Sequence, residues 1–438
     1  MTSATETSNE AWPVAKNKMV TAIVASLLGW SLDLFDLFIL LYVAPVVGKL
    51  FFPSALPTLS LAAVYASFAV TLLMRPVGSA LFGSYGDRYG RRGAMIVAVV
   101  GVGIATALFG ALPTIDQIGV AAPVIFIILR LIQGIFVGGV VASTHTIGTE
   151  SVPPHWRGAM SGLIGGGGAG IGALVASIAY YIATEAFPGD QFAVWGWRCM
   201  FFFGIISSVL GFFIFNKLEE SPVWSELQAK GGKVLRAPVR ALFSREYLPV
   251  LLVNLLITIG GGAGYYLTSG YLPTFLKVVS KLPSAQTSAI LIAGSFVVII
   301  ASVLAGHLST LWGRKRTFLM LAIIRIVLLP FCFIAMGRTQ DVGMLAFWAL
   351  VLTFFGNAGY APIVIFLNER FPTALRATGT GLSWNIGFAI GGMMPTFVSL
   401  FSATPADLPN MLAIFSIGIS VLFLAGAIII PETKDNLR

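Results

Sequence analysis

The chain has 438 residues, of which 57% are hydrophobic and only 10% carry a charge. A soluble domain has roughly 25% charged residues, so this composition excludes a soluble enzyme, a soluble nucleic-acid-binding protein and a disordered chain. The apolar runs are continuous and do not alternate, which excludes a porin-like barrel. The net charge of +9 does not indicate nucleic-acid binding, because the basic residues lie at the ends of apolar runs and in short loops.

Twelve apolar runs follow one another along the chain, and each is long enough to cross a bilayer as a helix. We predict them at residues 20–47, 60–84, 93–112, 121–148, 158–184, 196–217, 247–274, 286–309, 317–336, 343–368, 374–401 and 408–430. The pattern predicts an all-α membrane protein with twelve transmembrane helices in two pseudo-symmetric six-helix bundles. The predicted units are an N-terminal tail (1–19), a first bundle (20–217), a linker (218–246), a second bundle (247–430) and a C-terminal tail (431–438).

The distribution of Lys and Arg predicts the orientation. Loops on the side of the termini hold most of the basic residues, for example at 88–92, 230–245 and 314–316. Loops on the other side hold few, among them Lys49 and Lys277. The positive-inside rule therefore predicts that both termini face the cytoplasm. No cleavable signal is visible, so we expect a multi-pass protein of the cell (inner) membrane.

The two halves repeat each other's loop motifs. Gly83 to Arg92 read GxxGDRxGRR after the second helix, and Gly306 to Arg316 follow the same spacing after the eighth. A second echo matches Glu150, Pro153 and Arg157 with Glu369, Pro372 and Arg376 in an ExxPxxxR frame. Two independent pairs of this kind indicate an internal repeat of helix bundles, which is typical of secondary transporters.

These motifs resemble those of the major facilitator superfamily over the whole chain. The GxxGDRxGRR loop is that superfamily's most specific signature, and Arg130, Gln133 and Gly134 resemble its RxxQG motif. Residues 29–36, Arg75 to Gly78 and 131–158 resemble the metabolite:proton and the sialate or aromatic-acid:proton symporter branches. The resemblance implies two bundles that rock about a central site and give alternating access. It also implies that helices 1, 4, 7 and 10 line the central cavity.

Of the acidic residues, only Asp33 and Asp36 lie well inside an apolar run. A charge near the bilayer centre costs at least about 2.5–3.5 kcal/mol, so it needs a partner or a function. Residues three apart share a helix face, so we expect both carboxylates to face one cavity. Helix geometry places Arg130 at a similar depth, which makes it the expected counter-charge. An ion pair that only joins helices 1 and 4 is the alternative.

A buried carboxylate favours its neutral form, whereas a nearby guanidinium favours the charged form. An anionic substrate that occupied Arg130 would leave an aspartate without a partner, and that aspartate would then hold a proton more readily. Proton and anion would thus favour each other's binding, which is symport by reciprocal linkage. We therefore predict that Asp33 and Asp36 couple the proton and that Arg130 holds the substrate carboxylate.

Neutral polar and aromatic side chains of the second half are the remaining candidates for substrate binding. They are Asn254, Thr258, Tyr265, Asn357, Tyr360 and Asn385. Ordinary hydrogen bonding between helices is the alternative for each of them. We interpret Arg75 as a brace for the gating loop and Arg325 as a packing arginine, while His145 is a further candidate for proton handling.

Charged residues at the helix ends are predicted to gate the pathway. They are Asp87, Arg88, Arg91, Glu150, Arg157, Glu369 and Arg376. No GxxxxGK[ST] motif occurs, so ATP-driven transport is not expected. We also expect no catalytic residues, no metal site and no cofactor besides the coupling proton.

The sequence thus predicts a monomeric, proton-coupled symporter for a small organic anion such as a monocarboxylate, aromatic acid or sugar acid. The alternative is a sugar-porter-like carrier of a neutral solute, either proton-coupled or facilitative.

Overall fold

The computed structural model describes residues 16–89, 91–216, 238–372, 375–434 and 436, and some side chains within these helices lie outside the description. Within these ranges twelve helices are long and apolar enough to cross a membrane. They are α1 Lys16–Phe51, α2 Pro57–Tyr89, α3 Arg91–Gly110, α4 Ala121–Glu150, α5 Pro154–Ala186, α6 Phe192–Phe213, α7 Leu248–Val279, α8 Ser284–Trp312, α9 Arg314–Arg338, α10 Val342–Arg370, α11 Arg376–Phe401 and α12 Pro405–Ile429.

The twelve predicted helices are confirmed, but several are longer than their apolar runs. α1 begins at Lys16 and ends at Phe51, and α2 continues to Tyr89. Helix backbone is satisfied by its own hydrogen bonds, so a helix can continue past the apolar run into water. Most of the predicted linker, 218–246, lies outside the described residues, and a short helix, Pro238–Leu242, precedes α7.

Five of the membrane helices are interrupted in the described part of the chain, and one of them is α6, which is broken at Phe203. α5 has a π-helical turn at Leu163–Gly167, and α7 has two, at Tyr266–Gly270 and Phe275–Val279. α10 is broken after Ala358, where Pro362 lacks the N–H needed to continue the hydrogen-bond ladder. α11 is interrupted at Met393, just before Pro395. π turns and prolines are the usual causes of local irregularity in helices, and they allow bending.

The two halves meet mainly along two pairs of helices, α2 with α11 and α5 with α8. The α5–α8 contact is made by a stripe of glycines four residues apart, at positions 158, 162, 166 and 170. A Cβ at Gly162 would collide with the backbone carbonyl of Ser302, so the two helix backbones touch directly. Because α1 to α12 cross in alternating directions, both described chain ends lie on one face, which we call the terminal face.

Candidate functional site

A buried ion pair lies at the middle of the first half. Arg75 of α2 and Asp33 of α1 are each 3% exposed, and Arg75 Nη1 lies 3.8 Å from Asp33 Oδ2. Neither carboxylate oxygen of Asp33 has a hydrogen-bond donor among the described residues, and Arg75 Nε is also unpaired. Counting from the terminal ends of α1 and α2, both residues lie about 20–25 Å deep. The pair is long and incompletely satisfied, so its groups can accept new partners.

Aromatic rings from both halves surround this pair. Tyr265 of α7 stacks on Tyr360 of α10 with ring centroids 5.4 Å apart, and Tyr360 meets Trp384 of α11 at 5.2 Å. Trp30 of α1 meets Trp384 edge to face at 5.8 Å across the two halves. Both tyrosines are close enough to Arg75 to interact with it electrostatically. The centre of the molecule is therefore a charged pair walled by aromatic rings.

Asp36 of α1 and Arg130 of α4 form a second buried pair of opposite charges in the first half. Arg130 of α4 donates to Gln133 Oε1 at 2.7 Å, and its guanidinium lies 4.1 Å from the ring centroid of Phe109 and 5.1 Å from that of Phe126. These partners all belong to the first half. Arg130 is within electrostatic range of Asp36, yet both oxygens of Asp36 lack a hydrogen-bond donor among the described residues.

The prediction that Arg130 is the counter-charge of both aspartates therefore needs correction for Asp33, whereas Arg130 and Asp36 do lie within electrostatic range of each other. The cation paired with Asp33 is Arg75, which the sequence pointed to only as a brace for the gating loop. Even counted from the predicted end of α2 at residue 84, Arg75 lies about 14 Å inside the helix, which is close to the middle of a bilayer core. Charge inside an apolar run was the signal that could have found Arg75.

The polar candidates of the second half divide into two groups. Tyr265 and Tyr360 lie in the aromatic centre, and the hydroxyl of Tyr265 has no partner among the described residues. Asn357 instead joins α10 to α7 through Ser269 Oγ, at 2.7 Å. Asn385 crosses between the halves and donates to Ser79 Oγ of α2, at 2.6 Å.

Asn254 and Thr258 are buried contacts of α7 away from the centre. Asn254 accepts from Arg370 Nε at 3.2 Å, near the terminal face, and Thr258 donates to the backbone of its own helix. Arg325 is fully buried in the second half, where it donates to Gly260 O at 3.1 Å and packs over Phe423. The side chain of His145 lies outside the described residues.

An ion pair and a hydrogen bond close the terminal face between the halves. Arg376 at the start of α11 binds Glu150 at the end of α4, with Nη1 and Oε1 2.8 Å apart and both side chains at most 6% exposed. Asn368 of α10 donates to Thr149 Oγ1 of α4 at 2.8 Å. The ion pair joins the two copies of the ExxPxxxR motif, because Glu150 comes from the first copy and Arg376 from the second.

Other predicted gating residues lie around these contacts. Glu369 accepts both Nε and Nη2 of Arg314 within the second half, at 3.1 and 2.9 Å. Thr433 donates to Glu369 Oε2 at 2.8 Å, which ties the C-terminal segment to the same cluster. Arg157 is half-buried at the start of α5. The side chains of Asp87, Arg88 and Arg91 lie outside the described residues.

Aromatic rings close the opposite face. Tyr65 of α2 stacks on Tyr271 of α7 with centroids 5.1 Å apart, and its hydroxyl lies 2.7 Å from Thr274 Oγ1. Between the two closures, a cavity of about 20 Å³ lies beside Tyr42, Tyr265 and Thr353. Such a volume holds a single water molecule. The centre is thus shut off on both sides, as in the occluded state of a carrier.

Known proteins with similar sequences are transporters. Residues 20–395 match the profile of the Major Facilitator Superfamily. The chain is 28% identical to the inner membrane metabolite transport protein YhjE of Escherichia coli K12, over 96% of both chains. It is 27% identical to the proline/betaine transporter of the same strain, over 96% of this chain and 85% of that one.

Solved structures agree with this result. The proton:xylose symporter XylE, bound to 6-bromo-6-deoxy-D-glucose, superposes with a TM-score of 0.75 at 18% identity, over 96% of this chain and 98% of that one. At this identity the match shows the fold alone. Its family relatives are transporters and not enzymes. The chain is a multi-pass membrane protein, a secondary transporter of metabolites that belongs to the Major Facilitator Superfamily.

Proposed function

We propose that the chain is a proton-coupled symporter for a small organic anion, such as a monocarboxylate, aromatic acid or sugar acid. It would work as a monomer in the cell (inner) membrane, with both termini in the cytoplasm. The observation that carries this proposal is Arg75, a guanidinium buried at mid-depth whose partner, Asp33, is 3.8 Å away and whose Nε is unpaired. A buried cation with unused donors is suited to bind a carboxylate.

The substrate carboxylate would occupy Arg75, and the rest of the molecule would lie against the aromatic wall. Guanidinium and carboxylate form two parallel hydrogen bonds, which fixes the orientation of a small acid. The unpaired hydroxyl of Tyr265 is a further donor toward the same space. Trp30, Tyr360 and Trp384 supply apolar faces for the body of the substrate. This assigns the role predicted for Arg130 to Arg75.

The proton would be carried by Asp33 and Asp36. A carboxylate buried without donors is costly in its charged form, which favours protonation when its cation is taken by another anion. Substrate bound at Arg75 competes with Asp33 for the same guanidinium. Each ligand then strengthens the binding of the other, as symport requires. Asp36, with no donor among the described residues, is a second place for a proton.

Alternating access would come from breaking one closure at a time. Loss of the Glu150–Arg376 pair would open the terminal face, and separation of Tyr65 from Tyr271 and Thr274 would open the other. We propose that Asp87, Arg88 and Arg91 take part in the terminal closure together with Arg157, Glu369 and Arg376. The glycine-lined α5–α8 contact allows the halves to rock against each other.

A zwitterionic solute is the second candidate, and the aromatic wall favours it. Trp and Tyr rings bind quaternary ammonium groups by cation–π attraction, and Asp33 supplies a nearby negative charge. One relative is named as a proline/betaine transporter, which supports this reading. A neutral sugar remains the alternative predicted from the sequence, and the likeness to the xylose symporter supports the fold only.

Uptake by proteoliposomes, with and without an inward proton gradient, tests the three candidates. We expect labelled organic acids to accumulate only with the gradient, and excess betaine or xylose not to compete. Arg75→Lys should raise KM for the acid at least tenfold, because Lys cannot supply the two-pronged contact. Accumulation of betaine instead would favour the zwitterion. Uptake that ignores both the gradient and carboxylate competitors would refute the proposal.

A further inference from the structure

A second, larger cavity opens on the face opposite the termini, between the two halves. Its volume is about 530 Å³, which lies in the range of small-molecule sites. Lys49, Ser54 and Ser60 line it from α1, α2 and the loop between them, and Lys277 and Pro405 line it from the second half. It is therefore a vestibule shared by both halves, and its shape must change when they rock.

Among the residues that the structure describes, Lys49 and Lys277 are the only ionisable ones that line the vestibule. Lys277 is half-buried, its Nζ donates to Ser284 Oγ at 2.6 Å, and the same Nζ lies 5.8 Å from the ring centroid of Tyr180. Lys49 is exposed. An acid, Asp407, lies two residues beyond Pro405, but it is not part of the lining and accepts from Thr404 N and Oγ1. The lining is therefore positively charged.

The vestibule lies directly outside the aromatic closure of this face. Ser60 precedes Tyr65 by five residues on α2, a rise of about 7 Å. Lys277 follows Thr274 by three residues on α7. A molecule that passes between Tyr65 and Thr274 toward the centre thus leaves the space between the two lysines.

We propose that this vestibule is a receiving site for small carboxylate anions, which Lys49 and Lys277 hold before the aromatic closure opens. The proposal rests on the proposed function, because it takes the anion to be the transported substrate. Two positive charges at the mouth of a cleft raise the local concentration of anions and hence their rate of arrival. Salt screens this attraction, with a Debye length of about 10 Å at 0.1 M ionic strength.

Transport kinetics provide the first test. In proteoliposomes at low ionic strength, the double variant Lys49→Gln with Lys277→Gln should lower kcat/KM for the acid about tenfold and leave kcat unchanged. The difference should shrink as salt is added. Lys281→Gln is the matched control, since Lys281 is exposed on the same face but does not line the vestibule. An unchanged kcat/KM, or an equal loss in the control, would overturn the proposal.

Chemical labelling tests the attraction without transport. Ser54→Cys, in a chain with Cys199→Ser and Cys332→Ala, is reacted with an anionic and a cationic methanethiosulfonate reagent. We expect the anionic-to-cationic rate ratio to fall several-fold in the double Gln variant, and an unchanged ratio would overturn the proposal. If the labelling ratio falls in the double Gln variant but kcat/KM does not, the lysines attract anions without serving transport, and only the receiving role is overturned. A changed ratio with no acid transported would refute the proposed function, and with it that role.

Discussion

Substitution of Asp33 by Asn is the sharpest test of proton coupling at the centre. The variant keeps the size of the side chain but removes the charge that competes with substrate for Arg75. At 3.8 Å and an effective dielectric constant of about 20, the Asp33–Arg75 attraction is about 4 kcal/mol. To bind Arg75, the substrate must displace Asp33. This costs most of the attraction when Asp33 is ionised and none of it when Asp33 is protonated.

A coupling free energy of about 3 kcal/mol follows, near the upper end of the usual range for linked sites. It corresponds to roughly 100-fold in affinity. In the wild type, Kd for the acid should therefore rise as pH rises, by at most about tenfold per pH unit, because one proton is released on each ionisation. In Asp33→Asn the affinity should stay high and vary little with pH.

Calorimetric titration of the purified protein between pH 5 and pH 9 measures this dependence, and proteoliposomes measure accumulation and exchange. We expect the variant to exchange substrate but to lose gradient-driven accumulation. Glu185→Gln is the control, because Glu185 is an exposed carboxylate. The same pH slope and the same accumulation in Asp33→Asn and wild type would refute the reasoning, and the same measurements on Asp36→Asn would show whether that residue carries the proton.

Three further predictions concern packing and gating. Arg130→Lys should lower thermal stability through the loss of about 2 kcal/mol of contact with Phe109 and Phe126. KM for the acid should stay within about twofold. A tenfold increase in KM would instead show that Arg130 binds the substrate carboxylate. Glu150→Gln should weaken the terminal closure by about 3 kcal/mol, and cysteines placed along the pathway on the terminal side should then react faster with labelling reagents. An unchanged labelling rate would contradict this prediction. Gly162→Ala should slow transport and favour the state open to the terminal face, whereas Gly418→Ala, which has open space around it, should transport normally.

The twelve helices could be predicted because bilayer thickness fixes the length of an apolar run. Their ends could not, since a helix continues into water without a change in composition. The interpretation of Arg75 did not depend on that error, because even with α2 ending at residue 84 Arg75 lies about 14 Å inside the helix. The sequence did not show its contact with Asp33.

For Arg130 the depth was right, but of the two aspartates only Asp36 is its neighbour. Position along a helix follows from counting at 1.5 Å per residue, and on that count Arg130 and Asp36 do lie at similar depth. The direction of a side chain changes by about 100° per residue, and only the neighbours show which direction faces the centre. Helix spacing predicts the contact of Arg130 with Gln133, three residues further along α4, whereas a single sequence gives no sign of the contact with Phe109.

The repeated loop motifs indicate an internal repeat, and they also contain residues that bind each other. Glu150 and Arg376 come from different copies of one frame, yet they bind each other across the two halves. Sequence symmetry thus pointed to two positions that bind each other, but which residue binds which depends on how the bundles pack.

The glycine stripe of α5 has a kinetic consequence. Where two helices touch backbone to backbone, no long side chains have to disengage before one half rolls over the other. The resistance to relative movement along the α5–α8 contact should therefore be small. The activation barrier of the cycle would then arise from breaking the Glu150–Arg376 pair and unstacking Tyr65 from Tyr271, so turnover should respond to mutations at these two closures. On the α5–α8 contact, turnover should respond only to substitutions that separate the two backbones, such as Gly162→Ala.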